Sequence, residues 1–425
     1  MTLNLIKYSK DFFKNYQEKR GDNNMKEIEG GVTIAEGFMS AGTTCGIKES
    51  GKKDMALVYS EKLAEAAAVF TRNEMKAAPV QVSQTRIKNG KARAIIVNSG
   101  NANACTGKKG LKDAHKMADI TAKKLSLDKE EVLVASTGII GEPLNMNKIT
   151  AGIDDLTENL KNDDLQAAEA ILTTDDNIKR KAYSFSLPDS DIEVKIGGMA
   201  KGSGMIHPNM ATMLGFITTD LNMNSDLLYQ ALKEAVSDSF NKISVDGDQS
   251  TNDTVFLMAN GKAGNNKITE KNDDYFAFLK VLKKLTKYLA QEIVADGEGA
   301  TKFVTIKVKE AFEENQADTI ARKVANSNLV KTALFGNDPN WGRILAAAGA
   351  GEVGIDPEKT TVKINDQTLF EKGSPVADSR EDLSGLIKGE NILIEICLGA
   401  GEKETEFWTT DLGDEYIEVN ARYHT

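Results

Sequence analysis

The chain has little of what usually carries metal, redox or histidine chemistry. Its 425 residues include three cysteines, Cys45, Cys105 and Cys397, and three histidines, His115, His207 and His424. The cysteines are far apart and odd in number, so no disulfide framework is implied and a reducing cytoplasm is the compartment that fits. Neither Cys-x-x-Cys nor His-x-x-x-His occurs, so a zinc site is not expected. No Gly-x-Ser-x-Gly elbow accompanies the histidines as it would in a hydrolase triad. No apolar run approaches the ~18 residues of a membrane span. The first ten residues lack the apolar core and small-residue cleavage site of a secretory signal. Positive charge is also short: 53 Lys and Arg stand against 63 Asp and Glu, a net charge of −10. That argues against a nucleic-acid or anionic-membrane partner, although a local basic pocket remains compatible with it.

What is present is an ordinary globular composition, 27% charged and 40% hydrophobic, in a chain long enough for two domains or two large lobes. Residues 1–24 are polar and interrupted by Gly21-Asp-Asn-Asn24; they read as an extension, with a helix at 4–18, outside the catalytic fold. From there strands and helices alternate. Strand patterns occur at Ala94–Val97, closed by a turn-rich loop over 98–107, and at Val132–Ala135, closed by Ser136-Thr-Gly138. Further strands are expected at 192–198, 214–218, Thr254–Met258 and Phe303–Val308. A closing hairpin is expected from 392–398 and 406–411. Asn224 or Ser225 caps a helix whose apolar residues run from Leu227 to Val236, and Tyr275–Val294 is an amphipathic helix with Leu279, Leu282, Leu285, Leu289 and Ile293 on one stripe. There is no internal repeat and no low-complexity tract. The fold class is α+β or mixed α/β, with sheets sandwiched between helices.

The most informative segment is Lys201-Gly-Ser-Gly-Met-Ile-His-Pro-Asn-Met-Ala-Thr-Met-Leu-Gly-Phe216. A glycine-rich turn leads through one proline to the small pair Ala211-Thr212 and then to an apolar run. Such a segment can present one hydroxyl and its own scissile peptide bond at the end of a buried strand. The plainer alternative is a glycine turn entering a core strand. A threonine hydroxyl is a weak nucleophile unless a base lies beside it, and one supplier is the residue's own α-amino group, released when the chain is cut just before it. That amine titrates at about 7.7–8.0, so much of it accepts a proton near neutral pH. Scarce histidine favours this chemistry. His207, inside the segment, fits a structural hydrogen-bonding role better than that of the base.

These residues resemble the self-cleavage site of the ornithine acetyltransferase (glutamate N-acetyltransferase) family of arginine biosynthesis, and the resemblance extends over residues 25–425. It implies a four-layer αββα fold, self-processed into an alpha fragment, residues 25–211, and a beta fragment, residues 212–425, that share one body. The cut falls between Ala211 and Thr212, and Thr212 becomes the acyl-carrying nucleophile. The matching Thr-Gly pair, Thr137-Gly138 within Ser136-Thr-Gly-Ile-Ile-Gly141, is the oxyanion hole. Substrate contacts carry over to Lys201 for a carboxylate, to Thr173 or Thr174, to Glu298 in Asp296-Gly-Glu-Gly-Ala-Thr301, and to Asn420 and Thr425 in a docked C-terminal tail. The implied substrates are N-acetylornithine as donor and glutamate as acceptor. No metal and no cofactor are implied. Acetyl-CoA is a donor for some members, and no nucleotide-binding signature decides the matter here. A cytoplasmic heterotetramer, two of each fragment, is the implied assembly. Asn98–Gly107, Val245–Thr254 and Phe335-Gly-Asn-Asp-Pro-Asn-Trp-Gly-Arg343 also look family-like and are assigned to the scaffold. Two rivals stand beside this reading: an N-terminal-nucleophile amidase or aminopeptidase, in which water receives the acyl group, and a non-catalytic binding or scaffold protein that never cleaves.

Overall fold

The computed structural model describes residues 25–207, 213–376, 383 and 385–422. The extension 1–24 with its expected helix lies outside the described residues. The described chain builds two mixed sheets with helices packed on them. The larger sheet has nine strands: β1 (Met25–Ile28), β2 (Phe38–Thr43), β3 (Met55–Phe70), β4 (Lys91–Asn101), β5 (Val132–Ile139), β6 (Lys179–Ser186), β7 (Glu193–Lys201), β8 (Leu214–Thr219) and β9 (Thr254–Ala259). Their order is β1-β6-β7-β8-β9-β3-β4-β5, with β2 added beside β3.

β3 joins the two parts of this sheet. Its first half pairs with β2 and β4 and its second half with β9, and the β4 pairing shifts register between Tyr59 and Ala64. A bulge of this kind bends a strand and increases its twist. A single buried cluster gathers Ala56, Val58, Ile95 and Val97 with Phe216, Phe256 and Met258, so faces from both parts look into one core. All six residues of β8 and all six of β9 are buried, and the two are paired in parallel, which suits apolar runs without alternation.

Helices cover the remaining faces. The first four are α1 (Ala78–Arg86), α2 (Gly107–Leu125), α3 (Met146–Glu158) and α4 (Leu165–Ala170). Residues of α1, α2 and α3 pack with Leu57, Ala94, Ile96, Val132 and Val134. Next come α5 (Ser225–Ser237) and α6 (Asp273–Ala295), which bury Leu228, Leu232, Leu282, Leu285 and Leu289 against Ile196, Ile217 and Leu257. Asn224 caps α5 by accepting from Leu227 N, and Asn272 caps α6 by accepting from Tyr275 N; each such cap stabilises by about 1 kcal/mol.

The smaller sheet runs β13-β12-β11-β14-β10-β15, from β10 (Phe303–Ala311), β11 (Thr361–Ile364), β12 (Gln367–Glu371), β13 (Ser374–Pro375), β14 (Asn391–Cys397) and β15 (Lys403–Thr410). Val304, Ile306, Ile394 and Phe407 pack there with α7 (Glu314–Ala325), α8 (Asn328–Phe335) and α9 (Trp341–Gly349). The last helix, α10 (Asp414–Arg422), follows β15.

Two sequence expectations need correction. β14 and β15 do not form a hairpin: β10 lies between them, parallel to β14 and antiparallel to β15. A hairpin needs only local contact, and here the earlier strand takes the place between the two, pairing with both along its length. The loop expected over 98–107 begins late, because Asn98–Asn101 continues β4 through its pairing with β5. Among the described residues no helix is long and apolar enough to cross a membrane.

Candidate active site

One cleft gathers residues that the sequence keeps far apart. A cavity of about 160 Å³ is lined by Thr137 and Gly138 at the end of β5, Thr173 and Thr174 after α4, Lys201 at the end of β7, Glu298 after α6, and Tyr416 and Asn420 on α10. Ala211, Thr212 and Thr425 lie outside the described residues. The strand that follows Thr212 is placed: Lys201 pairs with Leu214 across β7 and β8, and Leu214 pairs with Thr254 across β8 and β9.

Thr137 and Gly138 sit where β5 runs parallel to β4, with Ser99 opposite Thr137 and Gly100 opposite Gly138. Gly138 has φ +131°, and a Cβ there would fall 2.3 Å from the carbonyl carbon of Gly100, so only glycine fits. The strand end is fixed from behind. Ser136 Oγ donates to Asn98 Oδ1 at 2.6 Å, and Asn252 Nδ2 donates to the carbonyls of Ser136 and Ala102, each at 2.7 Å. A hydroxyl and a glycine N–H on a strand end held in this way are the kind of donors an oxyanion requires.

Lys201 is only 2% exposed. Its ammonium donates to Thr173 Oγ1 at 2.8 Å and lies 3.6 Å from Asp175 Oδ2. Asp175 is wholly buried; Oδ1 accepts from Lys179 Nζ at 2.8 Å and from Gly202 N at 2.6 Å, and Oδ2 accepts from Thr173 N at 3.0 Å. Burial alone would raise the Asp175 carboxyl, but Lys179 and Lys201 beside it hold it well below the usual carboxylate range. Lys179 also donates to Asp296. Burial works against its charge, and the two carboxylates overcome that and raise it. Lys48 stands nearby, donating to Leu172 O at 2.6 Å; burial lowers it to about 8, with Lys201 adding to the effect. A buried, ion-paired ammonium in the cleft lining is of a kind that suits a carboxylate.

Another part of the lining is acidic. Glu298 N donates to Ser203 O at 3.1 Å, and a Cβ on Gly204 would fall 2.3 Å from the Glu298 carboxylate; the glycine-rich turn makes room for that side chain. Asn420 Nδ2 donates to Glu298 Oε2 at 2.8 Å. Tyr416, one turn earlier, donates its hydroxyl to Asp246 Oδ2 at 3.3 Å. Asp246 also accepts the backbone N–H groups of Met205, Ile206 and Asp248. Burial raises the Asp246 carboxyl to about 6. Burial likewise lowers His207, which therefore stays neutral near pH 7.

The cleft thus brings together the expected Thr137, Gly138, Thr173, Thr174, Lys201, Glu298 and Asn420. Tyr416 and Asp246 join them without having been expected from the sequence. Tyr416 lies four residues before Asn420, and that spacing on a helix puts both on one face. Asp246 belongs to a polar loop whose sequence reads as scaffold, with no feature marking which of its residues line the cleft.

The ArgJ family matches residues 39–425. The arginine biosynthesis bifunctional protein ArgJ of Caldanaerobacter subterraneus subsp. tengcongensis is 45% identical over 94% of this chain and 100% of its own length. That of Bacillus subtilis is 44% identical over 95% of this chain and 99% of its own. Among solved structures, ornithine acetyltransferase from Mycobacterium tuberculosis, complexed with ornithine, is 40% identical and covers 43% of this chain and 98% of its own, with a TM-score of 0.40. With a family match over most of its length and near-half identity to full-length relatives, the chain belongs to the ArgJ family.

Proposed function

We propose that the protein is a self-processing ornithine acetyltransferase of arginine biosynthesis, a glutamate N-acetyltransferase that moves acetyl from N-acetylornithine to glutamate through an ester on Thr212. The observation that carries this reading is the convergence of Thr137, Gly138, Thr173, Lys201, Glu298 and Asn420 on one cleft, next to the strand that Thr212 precedes. In the precursor the Thr212 hydroxyl attacks the Ala211 carbonyl, the C–N bond breaks as the C–O ester forms, and the hydroxyl proton passes to the departing nitrogen. Water then cleaves the ester, freeing the 25–211 and 212–425 fragments with any residues that precede them. The new amine takes the hydroxyl proton in each later turnover. Thr137 and Gly138 stabilise the oxyanion, Lys201 and Thr173 hold the α-carboxylate shared by both substrates, and Glu298 with Asn420 faces the donor's side-chain ammonium. Thr425 adds a contact from the tail.

The body this chemistry uses is a four-layer αββα sandwich, a reading supported by the apolar clusters on both sides of the bent large sheet. The relatives' name is bifunctional, a word that fits acetyl-CoA as a second donor to glutamate. Incubation with N-acetylornithine, with and without glutamate, tests the reading. Transfer to glutamate exceeding hydrolysis supports it. Hydrolysis unaffected by glutamate makes the protein an amidase of related fold.

A further inference from the structure

Lys48 has no part in the acyl transfer itself, yet its ammonium ends on the residue before Thr173. It belongs to the loop between β2 and β3, which Asp54 folds onto itself. One Asp54 carboxylate oxygen accepts from Cys45 N at 2.7 Å, and the other accepts from Ile47 N at 2.6 Å and Lys48 N at 3.1 Å. The Asp54 carbonyl accepts from Ser99 N at 2.8 Å, which ties the loop to β4. The Lys48 stem runs past the bare backbone of Gly100, where φ is +93° and a Cβ would fall 2.9 Å from Lys48 Cγ and 3.2 Å from Ile47 Cγ2. Beyond it the ammonium donates to Leu172 O and to Lys53 O, each at 2.6 Å.

The Leu172 carbonyl and the Thr173 N–H belong to one planar peptide unit. Lys48 holds its oxygen, and Asp175 Oδ2 accepts its N–H at 3.0 Å. A peptide plane clamped at both ends fixes the backbone from which the Thr173 side chain projects, and that side chain accepts from Lys201 at 2.8 Å. We propose that Lys48 is a positioning residue for the substrate carboxylate: by holding the Leu172–Thr173 peptide against the strand that carries Gly100, it keeps the Thr173 hydroxyl on Lys201. This rests on the proposed role of Lys201 and Thr173 in holding the α-carboxylate. A neutral amide could bridge two carbonyls as plain scaffold. Lysine does so at a cost in desolvation: burial lowers it to about 8 against the pull of Asp54 and Asp175, with Lys201 and Lys52 adding to the fall. In return a charged donor makes the stronger hydrogen bond, and ionisable groups perturbed in this way gather at functional sites.

Lys48→Met keeps a stem beside Gly100 and removes the ammonium. The proposal expects KM for N-acetylornithine and for glutamate to rise alike, by about fivefold or more, with kcat within about threefold of wild type. The double variant Lys48→Met/Thr173→Ala is the second measurement. Because Lys48 acts through Thr173, the KM of the double variant should lie within about twofold of that of Thr173→Ala alone. Increases that multiply in the double variant overturn the proposal, since Lys48 would then act independently of Thr173. A loss confined to kcat, or failure to fold, overturns it too. A normal KM in Lys48→Met beside a raised one in Thr173→Ala sinks this proposal alone, whereas normal KM values in Thr173→Ala sink the parent reading of the site and the proposal with it.

Discussion

Lys201 Nζ donates to Thr173 Oγ1 across 2.8 Å, tying the end of β7 to the segment after α4 and making Thr173, of the two adjacent threonines, the partner of the lysine proposed to hold the substrate carboxylate. Removing a hydrogen bond to a charged group costs roughly 1.5–3 kcal/mol. Thr173→Ala is therefore expected to raise KM for N-acetylornithine and glutamate alike by about tenfold or more. Thr174→Ala should change either KM by less than about threefold. Steady-state kinetics on the two variants decide it.

Asp175 is held well below its ordinary range in the fold by Lys179 and Lys201. A depressed carboxyl contributes stability that is present above its unfolded value of about 3.9 and is lost as pH falls below that value. Asp175→Asn leaves Lys179 and Lys201 short of an anion, and breaking a buried pair costs roughly 3–5 kcal/mol. The Tm of Asp175→Asn should lie well below wild type at pH 7, with the gap beginning to narrow only once the pH falls below about 3.9.

Thr137→Ala removes one proposed oxyanion donor, so kcat should fall by about 10²–10³-fold while KM changes little. Self-cleavage should slow as well, since it passes through the same kind of intermediate. Gly138→Ala should be worse, because its Cβ would meet the Gly100 backbone at 2.3 Å. A large KM effect with normal kcat in Thr137→Ala would make Thr137 a substrate-binding residue instead.

Much of this site is legible in the amino-acid sequence alone. The Lys201–Phe216 segment stands out by its own pattern; the Thr-Gly pair, Glu298 and Asn420 are carried by the family resemblance around them, and helices α5 and α6 by their 3.6-residue periodicity and asparagine caps. What pattern does not carry is what depends on distant pairing. Ser99 and Gly100 look like turn residues until β5 is laid beside them. The polar 246–253 loop looks uniform until its hydrogen bonds single out Asp246, which accepts from Met205 and Ile206, and Asp253, which accepts from Met213. β14 and β15 look like partners because adjacency in sequence says nothing of a third strand between them.

Asp246 connects the glycine-rich turn after β7 with the last helix, through the N–H groups of Met205 and Ile206 and the hydroxyl of Tyr416. Its carboxyl is raised from 3.8 to about 6. A raised carboxyl contributes stability that is full below its unfolded value and is lost as pH rises through the folded one. The free-energy cost of Asp246→Asn should therefore be largest near pH 4 and shrink by roughly 3 kcal/mol, at 1.36 kcal/mol per unit, by pH 7. Thermal melts of the pair in the uncleavable Thr212→Ala background measure this, and a cost independent of pH would refute it.

The claim on which the rest depends is that Thr212 cuts the chain and then carries the acetyl group. Purified wild-type protein, run on a denaturing gel with mass and N-terminal sequence of each band, tests it beside Thr212→Ala. The account predicts two fragments from the wild type, the second beginning at Thr212, and one full-length, inactive chain from Thr212→Ala. Two fragments from Thr212→Ala, or full acetyl transfer by an uncut chain, would contradict it.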